Sequence, residues 1–174
     1  MTYGKKRTRI PIEFLGRVEL VPKDTKIRRK QGVYELINGK PNFSIDFFKE
    51  LLLSIKGITK DFEFILDKKR QRDCYYKCKI GKEFIRIELN YGIWEPYVKR
   101  ISIVTQSRVP SRRTFLKFVK IVDQIVRKTS MKILNVNAEV ISLDDLKASI
   151  ALLNTPNYKK WRAFYLCTPY TTYI

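Results

Sequence analysis

Five positions in one segment could act together: Arg113, Lys117, Lys120, Gln124 and Arg127 recur at intervals of three and four residues. On a helix advancing 100° per residue they fall within about a 100° arc. A row of guanidinium and ammonium groups is suited to holding phosphates rather than breaking bonds. Arg108, Arg112 and Lys128 extend the row, and only Asp123 opposes it. Like charges at i,i+4 cost a few tenths of a kcal/mol per pair, so ordinary solvated faces mix signs. We therefore read this face as polyanion-binding in preference to a merely soluble surface.

A second cationic group is Lys68, Lys69, Arg70 and Arg72, in the run 67–73 between two strand-like stretches. At a hairpin tip these side chains could follow a phosphate backbone, or they could simply keep a sheet edge from pairing. Tyr75, Lys77 and Lys79 alternate, which puts an aromatic and two cations on one strand face. That mixture suits base stacking with phosphate contact, although a half-exposed sheet face is the plainer reading. A third cluster, Tyr158-Lys159-Lys160-Trp161-Arg162, is a weaker signal, since tryptophan usually packs in a core.

Catalytic patterns are poor. The chain has no histidine, the commonest general base and metal ligand. Cys74 and Cys78 have a superficially metal-like spacing, but on a strand they stand roughly 13 Å apart, too far for one ion. With Cys167 they make an odd set of three, read as structural thiols rather than a disulfide framework. No phosphate-cradling glycine loop or nucleophile elbow is present. Glu63, Glu83 and Glu88 are the acids that could meet in space to build a metal-dependent nuclease. We expect no catalytic residue, no metal and no cofactor.

These residues need elements to hold them. Ser44 can cap a helix from Ile45 to about Lys56, ended by Gly57. Strand-like runs follow at Asp61–Leu66, Cys74–Ile80, Glu83–Leu89 and Tyr97–Thr105. Ser111 can cap the helix 111–128, whose Phe115, Phe118, Val119, Val122, Ile125 and Val126 form a core stripe. A last strand, Lys132–Ile141, leads to a capping box, Ser142 with Asp145, opening a helix to about Leu153. No element is assigned beyond Thr155. The order predicts an α+β fold: an antiparallel meander of four to five strands packed on two to three helices.

The whole chain carries 36 Lys plus Arg against 17 Asp plus Glu, a net charge of +19 in 174 residues. Such an excess persists most readily where a polyanion neutralises it. The longest uncharged apolar stretch, Leu51–Ile55, is far short of a membrane span, and the start of the chain lacks a secretory apolar core, so a cytoplasmic place is expected. Residues 1–32 are read as a basic N-terminal arm and 33–174 as one domain. The arm carries Lys5, Lys6, Arg7 and Arg9, then Lys26, Arg28, Arg29 and Lys30.

The opening Met1-Thr2-Tyr3-Gly4-Lys5-Lys6-Arg7-Thr8-Arg9 resembles the basic, Tyr-Gly-Lys-containing arm of some anti-CRISPR proteins from Gram-positive phages and plasmids. The resemblance covers about ten residues and the element order. It implies a non-catalytic inhibitor engaging an RNA-guided nuclease or its guide RNA, with Lys5, Lys6, Arg7 and Arg9 as the contacts. From the residues alone, two other readings stay open. One is an RNA-binding ribonucleoprotein subunit such as a ribosomal protein. The other is a DNA-binding replication or transcription accessory. A nuclease is the least favoured. RNA is expected over DNA, with no membrane partner, and oligomeric state is not legible.

Overall fold

The computed structural model describes residues 15–37, 39–66, 71–92 and 96–166. Their order is β1 (Arg17–Val21), β2 (Lys26–Lys30), β3 (Val33–Ile37), α1 (Ile45–Ser54), β4 (Ile58–Leu66), β5 (Gln71–Ile80), β6 (Glu83–Gly92), β7 (Val98–Thr105), α2 (Arg112–Thr129), β8 (Lys132–Leu134), β9 (Val140–Ile141), α3 (Leu143–Ala148), a 3₁₀ segment (Ser149–Asn154) and α4 (Pro156–Leu166). The fold is α+β.

Four successive strands, β4 to β7, form the expected antiparallel meander, because Gly81 and its neighbours turn the chain tightly between alternating runs. The sheet continues through β1, β8 and β9 in the order β4-β5-β6-β7-β1-β8-β9. Cys74, Tyr76 and Cys78 on β5, Ile85, Ile87 and Leu89 on β6, and Ile101 and Ile103 on β7 all turn to one face and are buried. Helices α1 and α2 cover that face.

Helix α2 forms where expected. The Ser111 hydroxyl accepts from the Thr114 N–H at its start, and Ser130 closes it in the left-handed conformation. Phe115, Phe118, Ile121, Val122 and Ile125 are fully buried, each such side chain contributing about 1.5–3 kcal/mol. Ser44 caps α1 through the Phe47 N–H, and the Ser142–Asp145 capping box opens α3.

Three expectations are corrected. The basic arm does not extend to residue 32. β1 lies inside the sheet between β7 and β8, with Leu15, Val18, Leu20 and Val21 buried. Alternation explains this, since Arg17 and Glu19 face away from the helices while Val18 and Leu20 face them. Next, β2 and β3 pair as a separate two-stranded ribbon, turned by Gln31 and Gly32, both at positive φ (51° and 77°). Residues 1–14, with Lys5, Lys6, Arg7 and Arg9, lie outside the described residues, as do Asn38 and Cys167.

The run expected as one strand over Lys132–Ile141 is two. Asn135 breaks it, because its side-chain oxygen accepts from the N–H groups of Asn137 and Glu139 at 2.9 and 3.0 Å, and Ala138 is left-handed. The tail without an assignment forms α4, anchored by buried Tyr158, whose hydroxyl donates to the Pro110 carbonyl.

Candidate nucleic-acid interface

The cationic arc of α2 is opposite its buried stripe and so points away from the sheet. Arg112, Arg113, Lys120, Arg127 and Lys128 are exposed, and Lys117 is half-buried. Three of these side chains are engaged within the fold. The Lys117 ammonium donates to the Lys56 carbonyl at 2.7 Å, Arg112 donates to the Asn154 side-chain oxygen at 2.9 Å, and Arg127 pairs with Asp123 at 2.7 Å. Asp123 also meets Lys147 at 3.7 Å, so the arc's one acid is shared between two cations. Arg113 and Lys120 have no acidic partner among the described residues. Gln124 lies one turn beyond Lys120 on the same arc, and its side-chain oxygen is shielded without a hydrogen-bond partner among the described residues.

The ribbon presents a second cationic surface. Lys26, Arg28 and Lys30 alternate onto one side and are exposed, along with Val33. Arg29 turns the other way and donates to the Asn137 carbonyl at 2.8 Å, tying the ribbon to the β8–β9 connection. Its base is clasped too. The Lys40 N–H donates to Asp24 at 3.0 Å, and Lys132 donates to the Thr25 carbonyl at 3.1 Å. A Cβ on Gly39 would come within 2.0 Å of the Asp24 carboxylate and 2.7 Å of the Thr25 backbone nitrogen, so only glycine lets the chain pass here. The depression between ribbon and sheet, lined by Arg17, Glu19, Tyr34 and Asn135 among others, has room for about one water.

Lys68, Lys69 and Arg70 lie outside the described residues. Arg72 belongs to β5, paired with Ile65 and Tyr91 on the neighbouring strands. Tyr75, Lys77 and Lys79 share the sheet face that the helices leave open. Phe84, Arg86 and Glu88 on β6 and Arg100 on β7 join them there by register, together with Phe62 on β4. The signal for the β6 residues was their alternation with Ile85, Ile87 and Leu89. For Phe62 it was hidden, because the pairing shifts between Lys60 and Phe62.

The three glutamates do not converge. Glu83 reaches the N-terminus of α2, where it accepts from the Ser111 and Thr114 hydroxyls and the Ser111 N–H, with Arg162 at 3.7 Å. Glu63 accepts from the Tyr91 hydroxyl near the opposite end of the strands, roughly 20 Å away along β6. Glu88 faces the other side of the sheet. Burial works to raise Glu83, but hydrogen bonds from Ser111 and Thr114, with Arg162, leave its carboxyl below the usual value. Glu88 is held above it by burial and then by Asp73. Burial pushes the thiols of Cys74 and Cys78 up, consistent with structural cysteines. Among the described residues no three Cys, Asp or Glu side chains gather as a metal site. Nor is any described helix long and apolar enough to cross a membrane.

Comparison with protein-family models, with curated proteins and with solved structures gives no match.

Proposed function

We propose that this chain is a non-catalytic nucleic-acid-binding protein that meets the phosphate backbone of RNA or DNA through the outer face of α2. The observation that carries this is Arg113 with Lys120: two exposed cations seven residues, about two helical turns, apart on one face, with no acid to neutralise them among the described residues. The exposed Lys26, Arg28 and Lys30 of the ribbon add to the same chemistry. An inhibitor of an RNA-guided nuclease, a ribonucleoprotein subunit and a DNA accessory would all use such contacts. The resemblance at residues 1–9 favours the first of these.

The test is binding of labelled RNA and DNA followed by anisotropy from low to physiological salt. We expect log affinity to fall linearly with log salt, by about 0.7–0.9 for each phosphate neutralised. The double reversal Arg113→Glu with Lys120→Glu is expected to weaken binding more than about tenfold while leaving the fold intact, as surface changes usually shift stability by about 0.5 kcal/mol or less. A matched reversal of Lys40 and Lys99 is the control. Equal losses in both pairs would mean that only net charge matters, and a salt slope near zero would overturn the reading altogether.

A further inference from the structure

The open face of the main sheet carries a pattern that phosphate binding by α2 does not use, since α2 lies on the opposite side. Phe62 stands on β4, the edge strand, and is 47% exposed. Its ring stacks on Tyr75 with centroids 4.4 Å apart and planes 19° from parallel. The two rings stand side by side across the strands, and among the described residues no further strand lies beyond β4, so the outer side of Phe62 ends the column there. On β6, Phe84 has the Lys77 ammonium 4.3 Å from its ring centroid and the Arg86 guanidinium at 6.0 Å. Tyr75 and Phe84 are separated by four residues along the strands and one strand spacing, roughly 14 Å.

We propose that this face is a stacking platform for the bases of a single-stranded nucleic acid, with a base continuing the Tyr75–Phe62 column and Lys77, Lys79, Arg86 and Arg100 holding its phosphates. The inference rests on the nucleic-acid reading above and names the form of strand that this second surface takes. Stacking needs the flat side of a base, which a duplex keeps covered and a single strand presents. The charge on the face fits such an occupant. With Arg17 and Glu19 of β1 counted, its five cations outnumber the three acids Glu19, Glu88 and Asp73, and Asp73 is buried and held by the Asn90 amide at 2.6 Å. An apolar protein surface docked here would leave those cations desolvated without partners. Burial, then Glu88 and Asp73, pushes the Tyr75 phenol up to about 12, so the column stays uncharged at neutral pH.

Three probes separate stacking from charge: oligouridylate or oligothymidylate as the single strand, a matched duplex, and inorganic polyphosphate, which has charge and no bases. Phe62→Ala is expected to weaken single-strand binding roughly tenfold and to leave duplex and polyphosphate binding within about twofold of the parent. Phe62→Leu keeps apolar bulk at the edge and removes the ring, so it reads the same loss should the alanine variant melt early. Comparing the ribo and deoxy strands assigns the sugar. Equal weakening of all three probes, or none, would overturn the platform while the α2 reading stands. Failure of the parent to bind any probe would remove both.

Discussion

Glu83 and Glu88 are the same residue type on one strand, yet the fold treats them oppositely. Glu83 faces the helices and terminates in hydroxyls and an N–H at the start of α2, where a negative charge also meets the positive end of the helix dipole. Its folded carboxyl lies below the ordinary 4.5, so the stability it contributes is present above that value and is lost as pH falls through the lowered one. Glu88 lies half-buried near Asp73, and its folded carboxyl lies above 4.5. Its effect therefore has the other sign: nothing at low pH, and a cost that appears as pH rises through the raised value. Glu83→Gln is expected to lower the melting temperature at pH 7, with the deficit shrinking in acid. Glu88→Gln is expected to raise it at pH 7, with the gain vanishing in acid. Thermal melts across that range check both, and shifts of the same sign for the two variants would show that the environments have been misassigned.

The elements were legible in proportion to how cleanly one physical signal dominated each. Helix α2 has a full apolar stripe, a capping serine and no competing feature, and it appears over the expected residues. β1 was obscured because Arg17 and Glu19, beside Gly16 and Pro22, resemble an arm. An open sheet face accepts such charges, and the alternating Val18 and Leu20 were the signal that decides. α4 was not assigned, since its apolar residues make no clear stripe and Tyr158 is anchored by a single hydroxyl contact. Of the candidate site, the α2 arc was visible in spacing alone. The stack of Phe62 on Tyr75 was not, because a bulge lies between the residues that would have revealed it. The ribbon turn makes its own prediction. Gly32 has φ +77° and open space where a Cβ would go, so Gly32→Ala meets only the backbone penalty, about 1 kcal/mol. Gln31→Asn, better suited to the left-handed first position of this turn, is expected to raise stability slightly. Chemical denaturation of both variants tests the pair, and indifference to both would mean that the ribbon unfolds separately from the body.

At the scale of the whole molecule, the first thirty residues divide into two parts that a deletion series can separate. Removing residues 1–30 takes β1 out of the middle of the sheet. β7 and β8 each lose the strand they pair with, and Leu15, Val18, Leu20 and Val21 leave the core. At about 1.5–3 kcal/mol for each buried side chain, that loss is comparable with the 5–15 kcal/mol that holds a typical domain together. The cooperative thermal transition is expected to disappear. Removing residues 1–9 spares every described residue, so the transition is expected to stay. It also removes Lys5, Lys6, Arg7 and Arg9 and no acid, taking the net charge from +19 to +15 (19 minus 4). Nucleic-acid affinity is then expected to fall, with the salt slope shallower by about 0.7–0.9 for each of these cations that had neutralised a phosphate. Far-ultraviolet melts and salt-dependent anisotropy on both truncations make the comparison. An intact transition after the longer deletion would mean that β1 is dispensable to the sheet. An unchanged slope after the shorter one would confine nucleic-acid contact to surfaces such as α2, the ribbon and the open sheet face.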